Sequence, residues 1–276
     1  MSKVWLITGA SRGLGRAIAE AVLASGDRLL ATARNTEALA VLLEKYGNQV
    51  ATFQFDVSDS HAAARAIDYA VSSFGRLDVL VNNAGYGTIG SVEDTTVEEF
   101  RAQIDTNLLG TIYTTKAAIP VMRAQRSGHI IQISSVGGRV GALGRAPYSA
   151  AKWGVEGFSE ALWKEVGPLG IKVTVIEPGG FRTDFAAGLT ESAIRPEYES
   201  TIGAAARFQQ NYNGKQPGDP VKAADVILQV ASMADPPLRL LLGSDAVTIV
   251  EHSDLARLDA DRRWRDLSIS TDFPTT

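Results

Sequence analysis

Cysteine is absent from all 276 residues, which excludes disulfide bridges and thiolate metal sites and gives no reason to invoke an oxidising compartment. Histidine is scarce: His61, His129 and His252 stand far apart without ligand spacing, so no metal centre is expected. No apolar run approaches the roughly 18 residues a membrane span needs. The opening "MSKVWLITGAS" enters a strand pattern directly, with no signal-peptide architecture, and a cytoplasmic location is the default expectation. Nor is positive charge in excess, since a net charge of -4 argues against a nucleic-acid footprint. Internal repeats and low-complexity linkers are missing too. The remaining composition, 45% hydrophobic and 21% charged, is that of an ordinary globular protein with a large core.

What is present is a rhythm. Short apolar runs, "VWLIT", "RLLATA", "VATFQF", "LDVLVNN", "HIIQIS", "IKVTVIEP" and "LRLLLG", recur between amphipathic stretches. Such runs fit strands buried on both faces. Their alternation with helical segments predicts an α/β fold, a doubly wound parallel sheet of about seven strands with helices on both sides. Right-handed crossovers then gather the loops at the strand carboxyl ends into one crevice. The pattern is least regular over about 180–220, ending in "NGKQPGDP". So long a connection inside a compact domain is expected to be a lid over a substrate. From 244 to 276, "AVTIVEHSDLARLDADRRWRDL" announces a C-terminal helical extension.

Directly after the first run comes "TGASRGLG", followed by the helical pattern "RAIAEAVLASG". Gly9, Gly13 and Gly15 suit a tight turn, a close backbone approach to a pyrophosphate and a close helix contact, with Ser11, Arg12 and Leu14 between them; the helix N-terminus adds amide donors and a favourable dipole. The spacing is G-x-x-x-G-x-G, not the G-x-G-x-x-G fingerprint. Its place after the first strand of an alternating chain predicts a dinucleotide site, and the chain 1–276 is read as a single NAD(P)-binding domain. At the end of the second strand, "LLATARN", no carboxylate is present to accept from a ribose 2'-hydroxyl; Arg34 stands there, and Arg12 lies inside the glycine turn. Two guanidiniums can clamp a 2'-phosphate, so NADP(H) is favoured over NAD(H).

In "YSAAK", Tyr148 and Lys152 are spaced i, i+4 and share a helix face. A phenol with a pKa near about 10 is a poor acid-base group at neutral pH. A lysine charge about 4 to 5 Å away, at an effective dielectric of about 20, would favour the phenolate by roughly 3 to 4 kcal/mol, but by under about 1 kcal/mol in water. The pair is therefore expected to lie in a dry cleft.

These motifs, with "FDV" at 55–57, "NNAG" at 82–85, Asn107 of "NLLG", "ISS" ending at Ser135 and "PGGFRT" at 178–183, resemble in their order the single-domain short-chain dehydrogenases/reductases, over about Lys3 to Gly243. The resemblance implies a Rossmann-like fold and assigns roles. Tyr148 would be the general acid/base, and Lys152 would lower its pKa and, with Tyr148, contact the nicotinamide ribose. Ser135 would hydrogen-bond the substrate oxygen, and Asn107 would support a proton relay beside Lys152. Asp56 with Val57 would face the adenine, although an Asp there could instead cap the next helix. Asn83, Ala84 and Gly85 would line a cofactor ribose, Pro178 and Gly179 the nicotinamide floor, and Thr183 would hold a carboxamide or phosphate unless it is a plain helix cap. "EPGGFRTDF" and "PPLRLLLG" are most similar to the branch containing 17β-hydroxysteroid and retinol dehydrogenases. Homo-oligomers, dimer or tetramer, go with that family; the extension can cover a tetramer surface, which leaves a monomer open.

The substrate pocket is expected from Tyr86, the "GGRVGALGRA" segment, and lid residues Phe185, Leu189, Tyr198, Phe208 and Tyr212, with Arg182, Arg195 and Arg207 as a lesser basic component. Such a lining suits a small hydrophobic ketone, aldehyde or secondary alcohol. The expected activity is NADPH-dependent carbonyl reduction, reversible as alcohol oxidation. An NAD-dependent alcohol dehydrogenase and a non-catalytic dinucleotide sensor remain the alternatives.

Overall fold

All seven apolar runs become strands of one sheet. The computed structural model describes residues 2–187, 190–191 and 194–273. Its strands are β1 (Val4–Ile7), β2 (Arg28–Ala33), β3 (Val50–Gln54), β4 (Val79–Asn82), β5 (Thr88–Ile89), β6 (Gly128–Ile133), β7 (Ile171–Pro178), β8 (Thr190–Glu191) and β9 (Arg239–Leu242). Seven of them form a parallel sheet in the order β3-β2-β1-β4-β6-β7-β9. The order reverses between β1 and β4, which opens a crevice at the strand carboxyl ends. β5 and β8 pair separately, Thr88 with Thr190 and Ile89 with Glu191, fastening the 180–220 excursion to the loop after β4.

The helices are α1 (Gly13–Ala24), α2 (Ala40–Tyr46), α3 (Ser60–Phe74), α4 (Val97–Ile104), α5 (Gly110–Gln125), α6 (Ala146–Val166), α7 (Asp184–Ala187), α8 (Ala204–Tyr212), α9 (Pro220–Ser232) and α10 (Ser244–Ile269). Ile18 and Val22 of α1 and Ala224 and Ile227 of α9 cover one sheet face, packed on Trp5, Ile7, Leu29 and Ala31. Ala63 and Ile67 of α3, Ala118 and Met122 of α5, and Leu162 and Val166 of α6 cover the other, on Leu6, Leu30, Leu80 and Ile130. Alternate residues of β1 thus serve opposite cores, which is why "VWLIT" shows no polar face. Burying each large aliphatic side chain contributes about 1.5 to 3 kcal/mol.

Local signals set the helix ends. Asp59 accepts from the amides of His61 and Ala62 and starts α3, which stops at Gly75 in the left-handed conformation. Thr96 and Glu99 form a capping box at α4. Between α4 and α5 the helix widens into a π turn, Asp105–Leu109, which carries Asn107.

The 180–220 excursion is pinned at its root. Gly218 donates to the Gly180 carbonyl at 2.9 Å, and Arg182 donates back to the Gly218 carbonyl at 3.0 Å. Between these points stand α7, a π turn at Glu199–Gly203, and α8. The extension is helical: α10 buries Ala246 and Val250, while Ile249, Trp264 and Leu267 are exposed. Arg139, beyond Ser135, ties it down by bridging Glu177 and Asp254. No helix among the described residues is long and apolar enough to cross a membrane.

Candidate active site

The carboxyl ends of the central strands, the loop before α6 and the 180–220 excursion surround a cavity of about 900 Å³. All nineteen of the residues singled out in the sequence for catalysis or cofactor contact lie on it except Asn107, which stands directly behind it.

At one end the glycine turn and "NNAG" hold each other. Asn83 Nδ2 donates to the carbonyls of Thr8 at 2.9 Å and Gly9 at 3.1 Å, while Thr8 Oγ1 accepts from the amides of Asn83 and Ala84. The side chain of Asn83 therefore braces the turn, a structural task beyond the expected ribose contact. Gly9 sits at φ 66, and a Cβ there would lie 3.0 Å from Ala84 Cα. A Cβ on Gly15 would overlap Asn83 Nδ2 and the Gly9 carbonyl oxygen. Ser11, Arg12, Gly13 and Leu14 complete this wall, with Thr183 against Gly13. Such a cradle, bare of side chains at a helix N-terminus, fits a dinucleotide pyrophosphate.

Farther out, Arg12 and Arg34 are exposed on the cavity rim and form no ion pair among the described residues. Asp56 Oδ1 accepts from the amide and hydroxyl of Ser58, and the cap of α3 falls to Asp59, which removes the capping role for Asp56. Val57 is buried beside it against Gly110. Thr183 Oγ1 accepts from the Phe185 amide at 3.3 Å, so it lines the cavity and also caps the short α7.

The other end gathers the residues expected to carry the chemistry. Ser135 and Tyr148 stand together beside Gly137, and Ser135 Oγ accepts from the Gly137 amide at 3.0 Å. Lys152 Nζ donates to the Ile133 carbonyl at 2.7 Å and lies 5.7 Å from the centre of the Tyr148 ring. Asn107, wholly buried, accepts from the Tyr86 amide at 3.0 Å and donates to the Tyr86 carbonyl at 2.9 Å. Gly85 separates it from the lysine: a Cβ there would lie 2.6 Å from Asn107 Oδ1 and 3.7 Å from Lys152 Nζ.

The electrostatics differ from the expectation drawn from "YSAAK". The dry cleft is there, but in the protein itself burial dominates and raises the Tyr148 pKa. The Ser135 hydrogen bond and the charge of Arg145 pull the other way. Lys152 is buried as well, which lowers its own pKa to about 8 against the opposing pull of Glu156. Its ammonium donates one of its three hydrogens to the Ile133 carbonyl, and the cation acting on the phenol is Arg145.

Of the expected pocket residues, Tyr86, Phe185, Phe208 and Tyr212 line the cavity, and Phe185 packs tilted on the Tyr148 ring with centres 5.8 Å apart. Leu189 lies outside the described residues. Tyr198 turns away: its hydroxyl donates to Glu93 at the surface and its ring joins a small cluster with Ile89 and Ile202. The lid arginines are spent, Arg182 on the Gln216 carbonyl, Arg195 on Glu93 and Asp94, and Arg207 on Glu199.

The "GGRVGALGRA" segment lines the cavity as expected, through Gly137, Ala142, Leu143 and Arg145, the last of them standing three residues before Tyr148. Sequence reasoning missed two polar wall residues. Gln216 is 2% exposed with neither amide atom hydrogen-bonded. Asp245 accepts from the Gly180 amide at 2.7 Å and leaves Oδ1 unpartnered. "GSD" at the end of the last strand, a helix-start signal, could have pointed to Asp245. Nothing in the sequence marks Gln216. Elsewhere, His129 is a core residue, its Nε2 3.0 Å from Thr174 Oγ1 and its pKa pressed down to about 3 by burial; no metal-ligand cluster occurs among the described residues.

Comparison with known proteins agrees with this geometry. Residues 3–193 match the family model described as short chain dehydrogenase. Oxidoreductase BOA17 of Botryotinia fuckeliana (strain B05.10) is 45% identical over 273 residues, 98% of this chain and 100% of that protein. A short-chain dehydrogenase from Streptomyces avermitilis superposes with a TM-score of 0.90 at 40% identity, covering 99% of this chain and 100% of its own. A metagenomic short-chain oxidoreductase in complex with NADP gives a TM-score of 0.70 at 30% identity, over 87% and 96% of the two chains. With its parallel sheet, glycine cradle and Ser, Tyr and Lys gathered in one cavity, the chain belongs to the short-chain dehydrogenase/reductase family of oxidoreductases.

Proposed function

We propose that the protein reduces a ketone or aldehyde with a hydrophobic body to the alcohol, reversibly, with NADPH as the hydride source. The observation that carries this is one cavity with a phosphate-type cradle and two unpaired guanidiniums at one end and a half-buried Ser135 with the buried Tyr148 and Lys152 at the other. When bound, the dinucleotide supplies a hydride to the carbonyl carbon.

The protein's part is the proton and the charge. Burial keeps the Tyr148 phenol protonated at neutral pH, the state needed of an acid that delivers a proton to the developing alkoxide. Ser135 adds a second hydrogen bond to the same oxygen. Lys152, with its pKa brought to about 8, and Asn107 beyond Gly85 stand where a replacement proton can reach the phenolate from solvent. Phe185 over the Tyr148 ring helps keep bulk water away. In the oxidative direction the same groups act in reverse.

The NADP-bound structure of the metagenomic relative supports the preference for the phosphorylated cofactor. The test is Tyr148→Phe, which keeps the ring packing and removes the hydroxyl. NADPH affinity is expected to stay within about 2-fold while turnover falls by on the order of 10² or more. Unchanged turnover would remove Tyr148 from the acid/base role.

A further inference from the structure

The reduction reading leaves the substrate's far end open, and the structure carries a charge there with nothing to pair it. Arg145 precedes the first turn of α6, lines the cavity and is partly buried. Its Nη2 donates to Gln209 Oε1 of α8 at 3.0 Å, a neutral acceptor, and it forms no ion pair among the described residues. Among the other arginines around the cavity, Arg139 pairs with Glu177 and Asp254, Arg195 with Glu93 and Asp94, and Arg207 with Glu199; Arg182 donates to the Gln216 carbonyl, and Arg12 and Arg34 are exposed to solvent at the opposite end. A guanidinium withdrawn from water against a neutral amide bears an uncompensated desolvation cost, which an anion from the ligand would offset. Burial accordingly lowers its pKa, opposed by the phenolate form of Tyr148.

We propose that Arg145 is the specificity-determining residue for a substrate carboxylate, so that the protein acts on an oxo acid and its hydroxy acid. This rests on the reduction reading and names the class of substrate within it. The position fits. Arg145 lies between Tyr148 and Gln209 of the lid helix, so a molecule whose carbonyl oxygen rests on Tyr148 and Ser135 passes the guanidinium as it extends under α8. The planar fork matches a planar carboxylate through paired hydrogen bonds. A phosphate dianion would call for a second cation, whereas the nearby cavity wall is Leu143, Phe185 and Phe208, with an acid at Asp245. No acidic residue occupies the first turn of α6, so the positive end of that 21-residue helix adds to the field.

The test pairs ligands that differ in charge. Benzoate and benzamide are titrated by calorimetry into the protein with NADP+ present, wild type beside Arg145→Met and Arg145→Lys. Benzoate is expected to bind at least about 10-fold tighter than benzamide to the wild type, the preference vanishing with methionine and partly surviving with lysine. In parallel, kcat/KM is compared for an aryl oxo acid and its methyl ester. The acid-over-ester ratio should fall by on the order of 10-fold or more in Arg145→Met, mainly through KM.

Equal binding of benzoate and benzamide to the wild type overturns the proposal, and this comparison needs no variant to fold. A loss of equal size for acid and ester in Arg145→Met also overturns it, and points to action on Tyr148 instead. Charge-selective binding through Arg145 without turnover of any carbonyl upholds the carboxylate site and removes the reduction reading. Turnover of acid and ester alike, unchanged in ratio by the variant, does the opposite.

Discussion

Removing both rim guanidiniums tests the cofactor assignment most directly. Arg12 and Arg34 are exposed on the cavity and carry no ion pair among the described residues, so their substitution breaks no internal bridge. A buried charge-assisted hydrogen bond would be worth about 1.5 to 3 kcal/mol, but these groups are solvated, and about 1 to 1.5 kcal/mol each is the appropriate scale. Together they amount to about 2 to 3 kcal/mol, or a roughly 30- to 150-fold rise in the NADPH dissociation constant for Arg12→Ala with Arg34→Ala. NADH lacks the phosphate and should change less than about 3-fold. Titration of reduced-nicotinamide fluorescence at about 0.05 M and 0.5 M salt supplies the second check. The wild-type advantage of NADPH should shrink as the Debye length shortens, and the double variant should show little salt dependence. Equal losses for NADPH and NADH would refute the reasoning and assign the arginines to the turn itself.

Three further outcomes are expected. Gly15→Ala should destabilise by about 2 kcal/mol or more and abolish dinucleotide binding, although helix propensity alone would make alanine better by about 1 kcal/mol, because the new Cβ meets Asn83 Nδ2 and the Gly9 carbonyl; thermal unfolding gives the sign. Asn107→Ala leaves the half-buried Tyr86 amide and carbonyl without their Asn107 partner and should cost about 1 to 3 kcal/mol in urea unfolding, with turnover reduced more than NADPH affinity. Glu177 is pushed from 4.5 to about 7 by burial and by Glu156, with Arg139 opposing. Because its folded pKa is raised, this carboxyl contributes no penalty below about pH 4.5, then lowers stability as pH rises to about 7, by at most about 3 kcal/mol. Urea midpoints at pH 5 and 8 should show that fall in the wild type and a flatter profile in Glu177→Gln; identical profiles would mean that the carboxyl is not raised.

The fold was legible because its strands obey the simplest rule available. Residues such as Leu6 and Ile7 point into opposite cores, so both must be apolar and the run carries no polar phase. Seven such runs separated by amphipathic helices leave few arrangements. The cofactor end was legible for a similar reason: its requirements are backbone requirements, and only glycine meets them at Gly9 and Gly15. Tyr198 shows where composition misled. An aromatic residue in an irregular segment has no periodic partner to fix its direction, and hydrogen bonding to Glu93 turned it outward.

The proposed acid/base pair exposes a deeper limit. The i, i+4 spacing of Tyr148 and Lys152 is a property of one helix, but the pKa of each depends on what other segments do to its solvent and its charges. Burial under the sheet ends and the lid raises one and lowers the other, and the charges that oppose these shifts come from Arg145 and Glu156. Arg145 was visible in the sequence only as part of a segment expected to line the pocket, with nothing to mark its charge. Arg139, Arg195 and Arg207 found carboxylates, whereas Arg145 is half-buried beside Tyr148 with a neutral amide as partner, a comparison that exists only after folding. Substrate choice in this chain therefore sits where periodic reasoning is weakest. On the proposed reading, the reaction would be carried by residues on regular elements, and the body on which it is performed would be selected by a half-buried guanidinium that the fold leaves without a carboxylate between helix and lid.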